Sequence, residues 1–294
     1  MPELPDVAVY VERTAVKTVG HALRALELRS AFVLRTAVPP ASDLVGREVV
    51  GVRRLGKRVV LEFAAQPAMF LVIHLMIAGR LHWHAAERAV PRHALAVLRF
   101  DHGALVMTEA GTRKRASLHV VQGAGALDAL DPKGLEPLVC SFDDFAKRVT
   151  AGNHTLKRAL TDPRTLSGIG NSYSDEILHR ARLSPLALTQ ALDSQALQRL
   201  YDAMREVLDE WTARLRDEAG DFPQKVSAFR EGMAVHGRYG QPCPVCGAPV
   251  QRIVYADNET NYCARCQTGG RVLADRALSR LLKASFPRDI DQLE

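Results

Sequence analysis

The chain opens MPELPDV, and two residues in that stretch carry chemistry that a terminal position can exploit. Once the initiator methionine is removed, Pro2 bears a secondary amine, and an α-amino group titrates at about pH 8, well below lysine. A fair fraction is then unprotonated and nucleophilic at neutral pH. Attack on a sugar aldehyde carbon gives an iminium, an electron sink that eases elimination at the neighbouring carbon. Glu3 stands beside it as a general acid for a ring oxygen or a leaving group. The competing reading is conformational: the prolines merely stiffen the entry to a helix.

A second constellation lies near the other end. Cys243, Cys246, Cys263 and Cys266 form C-x2-C-x16-C-x2-C, the spacing of a zinc ribbon. Each C-x-x-C pair suits a tight knuckle, and two knuckles on a hairpin place four thiolates tetrahedrally around one structural Zn2+. Pro244, Gly247 and Pro249 supply turn chemistry. Disulfides are the alternative for the same thiols. Cys140 is too far along the chain to join them and reads as a half-buried apolar filler.

Weaker features lie between. Lys57, in RRLGKRVVLEF, follows Gly56 and sits in a hairpin turn or at a strand start, with Arg53, Arg54 and Arg58 around it. Its ammonium can project into a groove or belong to a solvated turn. GIGN at 168–171 joins two helices, and Asn171 there can cap a helix or donate to a phosphate. It lacks the third glycine and preceding strand of a dinucleotide fingerprint. EAGTRKRASL places Arg113, Lys114 and Arg115 on a loop that suits phosphate contact or plain exposure. His82 and His84 face the same side of a strand, with no third ligand in view.

These groups need elements to hold them. DVAVYVERTAV has Leu4, Val7, Ala8, Val11 and Ala15 at helical spacing, with Pro5 in the first turn and Asp6 at the positive end of the helix dipole. From about 22 to 122, the runs ALRALELRS, VVGVRRLGKRVVLEF, MFLVIHLMIAGRLHWH, ALAVLRF, ALVMTEA and ASLHVV predict antiparallel strands of a sandwich or barrel, with a turn at Asp101-His102-Gly103. From about 124 to 232 the pattern is helical: HTLKRALTDP, SYSDEILHRARL and a long stripe of Leu197, Leu200, Tyr201, Met204, Leu208, Trp211 and Leu215. The expected domains are 1–123, 124–238, a zinc finger at 239–270 and a tail at 271–294.

With 294 residues, 47% hydrophobic and 24% charged, the chain has globular composition and room for more than one domain. The longest apolar stretch is broken by Glu62, Gln66, Pro67 and His74, short of the roughly 20 residues of a membrane helix. The start lacks the basic-then-apolar layout of a signal peptide, so a soluble intracellular protein is expected. A net charge of +6 favours a polyanionic partner or is a solvated basic surface.

Taken together, MPELPDV, GKRVVLEF, LSGIGNSYSDEIL and YGQPCPVCGAPV…NYCARCQ, in this order, resemble the formamidopyrimidine-DNA glycosylase/endonuclease VIII (Fpg/Nei) family over nearly the whole chain. The resemblance implies an α+β multidomain fold: an N-terminal antiparallel β-sandwich with an N-terminal helix, a helix–two-turn–helix (H2TH) domain and a zinc-ribbon hairpin. It implies a DNA-repair enzyme, an N-glycosylase removing damaged, oxidised bases with AP-lyase β-elimination, acting as a monomer on double-stranded DNA in a bacterial-type cytoplasm and nucleoid. By similarity, Pro2 is the Schiff-base nucleophile, Glu3 the acid that helps open the sugar, and Lys57 a phosphate contact that assists elimination. His93, Arg113, Lys157, Asn171 and Asn258 stand at DNA-contact positions. The alternative on the same fold is a weakly catalytic protein that binds lesions or abasic sites.

The chain departs from the family pattern at several places. Asp6 replaces a glutamate, HLMIAG replaces an HLGMSG-like segment around residue 77, and EAGTRKRAS replaces a DPRRFG-like loop. Five residues before Cys263, where the family carries an arginine on the zinc hairpin, stands Asn258, which lacks the fixed charge and bidentate fork. Arg252, Arg265 and Arg271 are the nearby cations that could compensate.

Overall fold

The computed structural model describes residues 1–224, 230–255, 258–273, 281 and 288–292, the side chains of Tyr255 and Asn258 excepted. The expected tail at 271–294 therefore lies largely outside the described residues. The chain forms two compact units, one of Met1–Pro132 with Trp211–Ser227, the other of Lys133–Glu210 with Ala228–Glu294.

In the first unit, helix α1 (Leu4–Thr18) starts almost at the terminus, with Pro5 where the missing N–H costs nothing. Eight strands follow: β1 (Ala25–Leu28), β2 (Val49–Leu55), β3 (Arg58–Phe63), β4 (Met69–His74), β5 (Gly79–Ala85), β6 (Ala96–Phe100), β7 (Gly103–Glu109) and β8 (Ser117–Gln122). They pair antiparallel as β1-β6-β7-β5 and β2-β3-β4-β8, a sandwich of two four-stranded sheets. Leu61, Leu71, Ile73, Leu81, Leu98, Leu105 and Leu118 fill the core.

The outer faces are covered as well. Val60, Phe70, Val72 and Val121 pack with Leu127 of the short helix α2 (Ala124–Asp128), and Val97, Ala104 and Val106 pack with Ala94. Strands buried on both faces lose the polar alternation of a half-exposed sheet, which is why β4 and β7 read as nearly continuous apolar runs.

Helix α1 differs from its expected stripe. Leu4, Val7, Val9, Tyr10, Thr14 and Thr18 are buried, while Ala8, Val11 and Ala15 are only half-buried. Val7 and Tyr10 join the sandwich core, but Val9 packs on Leu215 and Ala219, so two partners widen the buried arc.

Two loops of this unit bear on the site. Leu55 pairs with Arg58, leaving Gly56 and Lys57 as a two-residue hairpin loop with Gly56 at φ 61, a conformation glycine adopts without strain. Lys57 is therefore on a turn, not on a strand. Between β4 and β5, a Cβ on Gly79 would lie 2.2 Å from the carbonyl oxygen of Leu75, so only glycine permits that close approach.

The second unit contains α3 (Phe142–Thr150), α4 (Leu156–Thr161) and α5 (Asn171–Arg180), with α6 (Ser194–Glu218) contributing its residues up to Glu210. Ser141 and Thr155 cap α3 and α4 by accepting from the N–H groups of Asp144 and Arg158. Strands β9 (Gln251–Tyr255) and β10 (Asn258–Tyr262) form an antiparallel hairpin, followed by α7 (Ala264–Thr268). Val235, Val250, Ile253, Tyr262 and the four cysteines build a separate small core there.

Candidate functional site

The terminal residues of the first unit are buried at the start of α1. Pro2 is buried and Glu3 is 3% exposed. The N–H of Glu3 donates to the carboxylate of Asp6 at 2.9 Å, so the N-cap residue is fixed by its own helix in a capping box. Aspartate at N3 thus completes the capping box.

Burial holds the α-amino group of Met1 below its ordinary pKa, with Glu3 and Asp6 acting against this and Arg80 and Lys57 adding to it. Lys57 and Arg80 are thus within electrostatic reach of the chain's amino end, as Glu3 and Asp6 are. Arg80 escaped the sequence reading. Its guanidinium donates to the carbonyl of Gly79 at 2.7 Å, and its position just after the constrained glycine was the available signal.

His74, also missed, lies across from Arg58 on the β3–β4 ladder. Burial drives its pKa down to about 4, aided by Arg58, Lys57 and His119. His119 has a buried Nδ1 without a hydrogen-bond partner among the described residues. His93 is exposed, and burial lowers the pKa of His82. His82 bonds Thr108 at 3.1 Å and His84 bonds the carbonyl of Ala89 at 3.2 Å. Arg113 is exposed on the β7–β8 loop, whose backbone the buried Glu109 anchors by accepting from the N–H of Arg115 at 2.9 Å and of Ala116 at 3.1 Å.

In the second unit α5 is buried along almost its whole length, charged residues included, so those charges must find partners. Lys157 donates to Asp175 at 2.5 Å and to the carbonyl of Asn171 at 2.7 Å. Asp175 also meets His236 Nδ1 at 2.8 Å and accepts from the N–H of Asn261 at 3.2 Å. Glu176 accepts from three consecutive backbone N–H groups, those of Ala234, Val235 and His236, at 2.7, 2.9 and 2.9 Å. Burial nonetheless pushes its pKa upward. Asn171 donates from Nδ2 to the carbonyl of Glu259 at 2.8 Å. Lys157 and Asn171 are therefore brought together at the start of α5, each already partly engaged by protein.

Asn258 begins β10 with its backbone opposite Tyr255, and its side chain lies outside the described residues. Of the nearby cations, Arg252 stacks over Tyr239 at 4.2 Å and Arg265 pairs with Asp291 at 2.8 Å, while Arg271 is exposed.

The four ribbon cysteines place their sulfurs within 4.8 Å of one another. The Cys243–Cys266 and Cys246–Cys263 separations are 3.9 and 3.4 Å, too long for disulfides. A tetrahedron with metal–sulfur bonds of about 2.3 Å sets its sulfurs about 3.8 Å apart, so the cluster fits Zn2+. Without a cation, burial raises the Cys263 thiol to about 11 and also raises that of Cys266, opposing the thiolate state that metal binding requires. Cys140 is half-buried and outside this cluster. Among the described residues no other group of three or more His, Cys, Asp or Glu could hold a metal, and no helix is long and apolar enough to cross a membrane.

Comparison with known proteins matches the formamidopyrimidine-DNA glycosylase N-terminal domain over residues 1–118, the formamidopyrimidine-DNA glycosylase H2TH domain over 133–217, and the zinc finger found in FPG and IleRS over 240–269. A formamidopyrimidine-DNA glycosylase of Heliobacterium modesticaldum is 34% identical over 91% of this chain and 100% of its own length. The solved MutM (Fpg) protein of Thermus thermophilus superposes with a TM-score of 0.75 at 31% identity, covering 90% of this chain and 98% of that one. A mutant Lactococcus lactis Fpg in complex with Fapy-dG-containing DNA superposes with a TM-score of 0.79 at 25% identity, covering 91% and 100%.

Proposed function

The chain belongs to the formamidopyrimidine-DNA glycosylase/endonuclease VIII family and is a DNA glycosylase and AP lyase of base-excision repair, and on that premise we propose that its reaction runs through the nitrogen of Pro2. With Met1 removed, the proline amine attacks C1′ of a damaged nucleotide flipped out of duplex DNA. The bond from C1′ to the base breaks, the base leaves with a proton, and Glu3 protonates the ring oxygen as the sugar opens. The resulting iminium withdraws electrons, a proton is lost from C2′, and the C3′–O bond breaks to nick the strand. Water then hydrolyses the iminium and restores the amine.

Burial of Pro2 and Glu3 together, with Lys57 in electrostatic reach of the amino end, is the observation that carries this reading. Pro2 is buried, and burial favours the unprotonated, nucleophilic form of an amine. Lys57 contacts phosphate and assists elimination. His93, Arg113, Asn171 and Asn258 contact the DNA, and Lys157 acts through its place beside Asn171. The four cysteines bind one structural zinc, which holds the hairpin that carries Asn258.

The substrate is double-stranded DNA with oxidised or otherwise damaged bases or abasic sites, a class that includes the Fapy-dG DNA bound by the Lactococcus enzyme. The protein acts as a monomer in the cytoplasm, on the nucleoid. Asparagine in place of the hairpin arginine weakens the second elimination step. A role in binding alone is not favoured, since a binder has no use for Pro2, Glu3 and Lys57 together.

Borohydride trapping on abasic-site duplex tests this reading. The protein with Met1 removed is expected to form a covalent adduct that Pro2→Gly abolishes. An adduct undiminished in that variant, or an intact mass showing that fully active enzyme retains Met1, would overturn it.

A further inference from the structure

Helix α5 meets the zinc ribbon through residues spaced four apart, which stack along one helical face. Asn171 donates to the carbonyl of Glu259, Asp175 accepts from the N–H of Asn261, and His179 places Nε2 3.3 Å from Sγ of Cys243. The third contact differs in kind, because its partner is a metal ligand. His179 and Cys243 are 6% and 3% exposed, so water does not compete for the pair. His179 is not one of the four clustered ligands and lies beside them.

We propose that His179 is a positioning residue of the zinc site, its Nε2–H donating to the metal-bound thiolate of Cys243. Four thiolates around one Zn2+ leave a net double negative charge in a small apolar core, and a donor aimed at one sulfur draws off part of it. The bond also fixes the Cys243 knuckle to the helix whose first residue is Asn171. Partners that hydrogen-bond to metal ligands in this way alter metal affinity about 10–100-fold. The proposal rests on the reading that the four cysteines bind zinc.

The test uses the full-length zinc-loaded protein. His179→Phe keeps an aromatic ring and removes the donor, whereas His179→Gln retains an N–H. In equilibrium competition with a chromophoric chelator, zinc affinity should be about 10–100-fold weaker in the Phe variant, and largely restored in the Gln variant. In cobalt-substituted protein the sulfur-to-metal charge-transfer band should move to lower energy in the Phe variant, since a sulfur without the donor gives up its electrons more readily. Equal zinc affinity and an unmoved band in a folded Phe variant would overturn the proposal.

A measurement on the unaltered protein decides the matter if the Phe variant does not fold. Imidazole 15N shifts of the zinc-loaded protein should show the proton of His179 on Nε2, and in the 113Cd form that proton should couple to the metal through Cys243. A proton on Nδ1 alone would sink the idea. Wild-type protein without stoichiometric zinc would instead count against the zinc reading, a separate failure.

Discussion

The ammonium of Lys157 lies 2.5 Å from the carboxylate of Asp175, a side chain with no exposed surface, and the same carboxylate bonds to His236 and to the backbone of Asn261. A lysine expected at a phosphate is thus held as half of a buried pair, and Asp175 joins α5 to the hairpin strand. Lys157→Met should destabilise the protein by about 3–5 kcal/mol by leaving a buried carboxylate short of its countercharge. Urea unfolding measures the loss, and Lys157→Met combined with Asp175→Asn should recover part of it. An unchanged midpoint in the single variant would show that the pair is not needed for stability.

Asp6 fixes the backbone of Glu3. Asp6→Ala should cost about 1 kcal/mol in thermal stability through the lost capping bond and lower the rate of base release along with it. Asp6→Asn retains an acceptor oxygen and should sit between the two. Equal base release by all three proteins in single-turnover assays would separate the cap from the chemistry.

The depressed pKa of His74 makes a pH prediction with a definite sign. Its folded-state pKa is about 4, below the roughly 6.5 of an unfolded histidine, so the unfolded chain takes up the proton first. The stability it contributes is complete above about pH 6.5 and is lost as pH falls towards 4. The urea midpoint should therefore drop across that window, and less steeply in His74→Gln. Parallel curves for the two proteins would contradict the assignment.

Removal of zinc should undo the ribbon before the sandwich. The ribbon core is small and built around its cysteines, whereas the sandwich has a large apolar core of its own. Chelation should abolish binding to abasic-site duplex, read by fluorescence anisotropy, and leave the main thermal transition of the β-domain in place. Undiminished affinity in metal-free protein would refute it.

The MPELP terminus, the two C-x-x-C pairs and the glycine before Lys57 were legible in the sequence as motifs, because each is made of residues a few positions apart and chain connectivity fixes those. The strands were legible as apolar runs, and Ser141 with Asp144 held an overlooked start signal for α3. The buried face of α1 was not legible, since its arc depends on Leu215 and Ala219, about two hundred positions along the chain. Likewise, nothing local marks Arg80 as a neighbour of the amino end, Asp175 as the partner of Lys157, His236 and Asn261, or His179 as the partner of Cys243. Composition and spacing determined which reactive groups the protein possesses. Tertiary packing decided which charges are buried, and a buried charge must be paired by whatever residue the fold delivers to it.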